Sequence, residues 1–110
     1  METFVRGDIV VIPFPFSDLS HAKRRPACVV RVLDHNELIL CQITSKKPVD
    51  SFHVCIKEVD FSQGSLSQTS YVRYHHIFTA NEAIVLYKIA KLKLKKTQQI
   101  LNELVNLFGM

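Results

Sequence analysis

The chain has no tryptophan, and only three glycines, four prolines and three cysteines among 110 residues. So little glycine and proline excludes a collagen-like or low-complexity polymer, which would need far more of both. The cysteines, Cys28, Cys41 and Cys55, form no Cys-x-x-Cys pair, so the pattern of a zinc ribbon or a thiol-redox motif is missing. Cys28 and Cys41 stand inside apolar runs, where a free thiol behaves as a small core residue. The five histidines keep no ligand spacing with the cysteines, and on a regular strand His75 and His76 would point to opposite faces, so a zinc site is not expected. No stretch approaches the roughly 18 to 20 apolar residues of a membrane span. The first residues carry Glu2 and Asp8 without a signal-type apolar region, so the expectation is a cytoplasmic protein with no membrane partner.

What is present is ordinary globular material. Hydrophobic residues are 47% of the chain and charged ones 22%, too apolar for a disordered coil, and 110 residues suit one domain spanning 1–110. Fourteen Lys and Arg against ten Asp and Glu leave a net charge of +4, which leans toward a polyanionic partner.

Ile9 to Phe16 (IVVIPFPF) is a β-branched and aromatic run broken by Pro13 and Pro15, which reads as a strand ending at a sheet edge. Ser17 to Arg25 lacks apolar period and reads as a polar loop carrying Lys23, Arg24 and Arg25. Pro26 then opens a second strand, and Asp34, His35 and Asn36 turn the chain into a third, ELILCQITS, as a hairpin. A short strand is expected from Phe52 to Ile56, turn and loop from Asp60 to Gln68, and a further strand from Tyr71 toward Phe78. Leu94, Leu101, Leu104, Val105 and Phe108 then recur at helical spacing, which predicts one apolar stripe on a helix from about Leu94 to Phe108. Ahead of it Lys88, Lys91, Lys93, Lys95 and Lys96 read as a solvated approach to the helix, with a basic patch for RNA or an acidic partner as the alternative. Lys93 offers no side-chain acceptor for the first helical amides. Many short strands and one helix imply a small, strongly bent antiparallel sheet closing on itself, with the helix appended.

A cationic segment between strands is a natural phosphate contact, because a guanidinium presents a rigid fork of donors to phosphate oxygens. The third strand ends in the hydroxyls Thr44 and Ser45, followed by Lys46 and Lys47. Attack of a ribose 2′-hydroxyl on its own phosphate piles negative charge on the phosphoryl oxygens, which a fixed guanidinium and a hydroxyl donor stabilise. The cations Lys23, Arg24 and Arg25 and the hydroxyls Thr44 and Ser45 offer candidates for such a pair, two hydroxyls after an apolar strand being more often a plain strand end, and the same segments hold no carboxylate cluster that would call for a metal.

Four segments in this order and spacing, RGDIVVIPFPFSDLS (6–20), KRRPACVV (23–30), CQITS (41–45) and DFSQGSLSQTSYVRYHHIFT (60–79), resemble the PemK/MazF family of type II toxins. The resemblance implies a mainly β fold, a small SH3-like antiparallel barrel with a C-terminal α-helix, in a homodimer. It implies an endoribonuclease, an mRNA interferase that cuts single-stranded RNA by transphosphorylation without a metal or other cofactor, and a cognate antitoxin, expected to carry an acidic segment. The arginine before the proline, Arg25, and the threonine of the Ile-Thr motif, Thr44, fall on the family's cleavage positions; Lys23, Arg24, His21, Ser45 and Lys46 are the expected RNA contacts. His21 stands where related sequences place a glycine and adds an imidazole to the loop. Arg73 falls on the arginine of a later strand motif, where a structural role at the barrel or dimer competes with RNA contact. Two other classes compete: a barrel of the same kind that acts by protein binding alone, as a topoisomerase poison or antitoxin-binding relative, and a plain nucleic-acid-binding barrel that stacks bases on Phe14, Phe16 or Tyr71.

Overall fold

The computed structural model describes residues 3–14 and 23–109. Among the described residues seven strands follow one another as β1 (Asp8–Phe14), β2 (Lys23–Val32), β3 (Glu37–Thr44), β4 (His53–Ile56), β5 (Phe61–Gly64), β6 (Ser70–Asn81) and β7 (Tyr87–Leu92), and the helix α1 (Leu94–Phe108) comes after them. They form one antiparallel sheet in the order β4-β6-β3-β2-β1-β7-β5, curled into a half-barrel. The expected mainly β barrel with a C-terminal helix is therefore the observed class.

Ile9, Val10, Val11 and Ile12 form an unbroken apolar run because both faces of β1 are covered. Ile9 joins Cys28, Cys41, Ile43, Val72 and Ile100 in the main core. Val10 and Ile12 pack with Phe4, Ala27, Val29, Leu38 and Leu40 in a second core on the opposite face. β1 lies inside the sheet between β2 and β7 as far as Val11, and past that point it has β2 alone alongside, so the strand ends at a sheet edge as expected. Pro13 is tolerated because it lies beyond the last β1–β7 pair, Val11↔Tyr87, where only β2 remains alongside.

The hairpin turn is as read, with a physical reason: His35 and Asn36 both have positive φ, 59° and 63°, and the Glu37 amide donates to the Asp34 carbonyl at 3.3 Å. This is the mirror-image turn whose twist matches paired strands. Three expectations fail. Lys23, Arg24 and Arg25 are not loop but the start of β2, paired with Phe14, Pro13 and Ile12. Phe61–Gly64, expected as loop, is the edge strand β5. The lysine-rich approach to the helix is in part the strand β7, where Ala90 and Leu92 are buried and Lys88 Nζ lies 3.8 Å from the fully buried Asp8 carboxylate. Cys28 and Cys41 are core thiols as expected, and burial pushes Cys28 far up and Cys41 up to about 12, which leaves both unreactive near neutrality.

The helix begins at Leu94 without a side-chain cap. Its entry is fixed instead by Asp60: the Lys93 amide donates to the Asp60 carbonyl at 2.8 Å, and Lys96 Nζ lies 3.7 Å from the Asp60 carboxylate. The expected stripe is rotated. Thr97 and Ile100 are buried, with Leu101, Leu104 and Leu107 packed on the core, while Leu94 and Phe108 are 84% and 73% exposed and Val105 also faces outward. Ile100 is the anchor, and burying such a side chain contributes about 1.5–3 kcal/mol.

Gly64, at the end of β5, has φ +62°, and a Cβ there would run into the Ile89 carbonyl oxygen of β7. A left-handed non-glycine residue alone costs about 1–3 kcal/mol. Gly64→Ala is therefore expected to lower the thermal midpoint by roughly 4 °C or more, measured by circular dichroism, and an unchanged midpoint would contradict so close a β5–β7 approach.

Candidate nucleic-acid interface

The β2–β3 ladder runs Val29↔Leu40, Cys28↔Cys41, Ala27↔Gln42. Continuing that register two residues past its last pair sets Arg25 across from Thr44, and residues opposite each other in an antiparallel pair share a face. Both line a cleft of about 290 Å³. Its apolar parts are Pro26, Ile43, Leu66 and Ile89; its polar parts include Arg24, Ser45, Ser67 and Gln68. Among the described residues neither Arg24 nor Arg25 makes an ion pair. The Thr44 Oγ1 accepts the Lys46 amide at 3.2 Å, which orients the hydroxyl and leaves its hydrogen to donate outward.

A second cleft of about 240 Å³ shares Thr44 and is lined by Lys46, Lys47, Pro48, Val49, Asp50 and Arg73. Of the expected RNA contacts, then, Arg24 and Ser45 stand with Arg25 and Thr44, and Lys46 stands in the adjoining cleft. Lys23 is exposed at the start of β2 and lines neither cleft. His21 lies outside the described residues, as do Phe16 and the rest of the segment 15–22; Phe14 is described in its backbone alone.

Arg73 Nη2 donates to Asp50 Oδ2 at 3.1 Å. Asp50 sits below the usual carboxylate range, first through the amide of Phe52 and then through Arg73 and His75, against partial desolvation. The doublet His75-His76 departs from the sequence reading. Pairing jumps from Gln42↔Arg73 to Cys41↔Ile77, so Tyr74, His75 and His76 bulge out of the ladder, and the two imidazoles meet with ring centroids 4.3 Å apart. Desolvation, with Arg73 and His75 nearby, holds His76 below the usual imidazole range. Sequence reasoning missed Ser67, Gln68, Ser70 and Ile89 as lining of the first cleft. Ile89 belongs to an unforeseen strand, and the other three come from a segment whose only sequence signal was its serines around Gly64.

A broad depression along α1, near Leu94, Gln98 and Asn102, is larger, and its described lining holds Lys95 but no hydroxyl side chain.

The chain matches the family of PemK-like, MazF-like toxins of type II toxin-antitoxin systems over residues 5–108. It is a member of that family. Among solved structures of similar fold, MazF from Deinococcus radiodurans has a TM-score of 0.74 at 19% identity, with 100% of each chain covered. An endoribonuclease in complex with its cognate antitoxin, from a mycobacterial species, has a TM-score of 0.75 at 15% identity, covering 98% of this chain and 97% of the other. A MazE-MazF structure from Deinococcus radiodurans has a TM-score of 0.74 at 19% identity, covering 100% of this chain and 99% of that one. No curated protein sequence matches. The PemK/MazF membership agrees with the resemblance carried by the Arg-Arg-Pro and Ile-Thr-Ser segments, and these same segments build the cleft.

Proposed function

We propose that this PemK/MazF-family toxin is an endoribonuclease that cleaves single-stranded RNA in the cleft between β2 and β3, by transphosphorylation and without a metal. The observation that carries this reading is that Arg25 and Thr44 line one cleft, in which neither Arg24 nor Arg25 makes an ion pair among the described residues. The 2′-hydroxyl attacks the adjacent phosphorus and loses its proton, while the departing 5′-oxygen gains one. Between these events the phosphoryl oxygens carry extra negative charge. The Arg25 guanidinium answers that charge with two parallel N–H donors, and the Thr44 hydroxyl adds a third. Because a guanidinium remains cationic at neutral pH, Arg25 serves as an electrostatic donor rather than as a free base.

The same reading takes in two protein partners. An antitoxin is supported by the antitoxin-bound structures of similar fold, and its acidic segment would suit Arg24, Arg25, Lys46 and Lys47. A homodimer gives cover to apolar side chains exposed on this protomer, among them Val32, Leu33, Leu86 and Tyr87.

The purified protein is expected to cleave single-stranded RNA in excess chelator, leaving a cyclic phosphate on one fragment and a 5′-hydroxyl on the other, read by mass spectrometry of the products. Cleavage that stops with chelator and returns with a divalent ion would overturn the metal-free mechanism. The absence of any cleavage, with antitoxin binding retained, would favour a toxin that acts by protein binding.

A further inference from the structure

One wall of the cleft plays no part in the chemistry of Arg25 and Thr44. Between β5 and β6 the residues Ser65 to Thr69 cross from beside β7 to the start of β6, and Leu66, Ser67 and Gln68 line the cleft on the way. Two hydroxyls tie down their backbone. The Ser65 Oγ donates to the Leu66 carbonyl at 2.8 Å, and the Ser70 Oγ, in a residue only 4% exposed, donates to the Gln68 carbonyl at 3.1 Å. At the near end Gly64 holds the chain hard against Ile89. The segment is thus fixed on both sides of Ser67, while the side chains of Ser67 and Gln68 remain exposed.

This wall has the chemistry of a base site rather than a phosphate site. Leu66 and Ile89, both half-buried, provide apolar surface, which suits the flat face of an unstacked nucleobase. A phosphate requires donors alone, and Arg24 and Arg25 already supply those on the β2 side. The carboxamide of glutamine carries a donor and an acceptor side by side, the pattern needed to read a base edge. A backbone already held by its neighbours lets such a side chain discriminate without first being ordered.

We propose that Gln68, with its backbone steadied by Ser70, reads the base of a nucleotide next to the scissile phosphate and so determines where this toxin cuts. The proposal rests on the ribonuclease reading above and adds to it a specificity residue.

The test is cleavage of a randomised single-stranded RNA library, with the cut sites sequenced, by the unchanged protein, by Gln68→Ala and by Gln68→Glu. The unchanged protein is expected to prefer one base at a position flanking the cut. In Gln68→Ala that preference falls by about tenfold or more at that position alone, with preferences elsewhere retained. Gln68→Glu, which has acceptors only, moves the same position toward guanine, whose N1–H and exocyclic amine present adjacent donors. Because Gln68 is exposed, both variants should keep the thermal midpoint of the parent, which separates base reading from misfolding. Continued cleavage by Gln68→Ala with every position's preference unchanged would overturn the proposal and leave the ribonuclease reading standing. No cleavage by the unchanged protein would overturn both.

Discussion

Replacing Arg25 with alanine is expected to slow RNA cleavage by about a hundred- to a thousandfold, the loss typical when one preorganised donor to a developing oxyanion is removed. Replacing the neighbouring Arg24 should cost about tenfold or less, as for a residue that assists binding alone. The contrast follows from strand geometry. Adjacent residues of β2 point to opposite faces, so although both arginines line the cleft only one can face the reacting phosphate, and continuing the β2–β3 register sets Arg25 across from Thr44 and Arg24 across from Ser45. Arg25→Lys should recover part of the loss, since it restores the charge but not the planar fork. Single-turnover cleavage of a labelled RNA separates the cases. Equal losses for Arg24→Ala and Arg25→Ala would mean that both merely bind RNA and that the chemistry resides elsewhere.

The second large effect concerns charge and inhibition together. Reversing Lys23 and Arg24 to glutamate is expected to weaken single-stranded RNA binding by about a hundredfold at low salt. It should also flatten the dependence of log affinity on log salt by roughly 0.7 for each phosphate that is no longer neutralised. An acidic, otherwise disordered antitoxin segment laid along the same cations would imitate the RNA phosphates, with apolar anchors adding to its affinity. Both ligands would then compete, and both would weaken with salt, since exposed charges are screened over about 8–10 Å at physiological ionic strength. The double reversal should accordingly weaken the antitoxin as well, read by titration calorimetry at two salt concentrations. Abolished RNA binding with intact antitoxin affinity would show that inhibition works from another surface.

The sequence alone carried the parts of this molecule whose signals are local. Pro-interrupted apolar β1, the Asp34-His35-Asn36 turn and the helix from Leu94 to Phe108 follow from side-chain type, turn chemistry and period, all encoded within a few neighbours. The family resemblance came from short segments whose residues also line the cleft, which is why Arg25 and Thr44 were legible as candidates before any geometry. Pairing decided the rest. Lys23 to Arg25 look like solvated loop because no apolar residue marks them, yet the β1 ladder extends them as strand. β7 hides behind its lysines because Lys88 reaches a buried carboxylate from the other end of the chain, an approach with no sequence period. His75 and His76 meet because β6 bulges between Arg73 and Ile77, which strand alternation cannot foresee. The buried helix stripe turned toward Ile100 and Leu107 because the tie between Lys93 and Asp60 sets how α1 meets the sheet. Gln68 reached the cleft through the fold as well: the close approach of Gly64 to Ile89 and the anchoring of Ser70 in β6, not the residue's own preferences, bring it into the same cleft as Thr44.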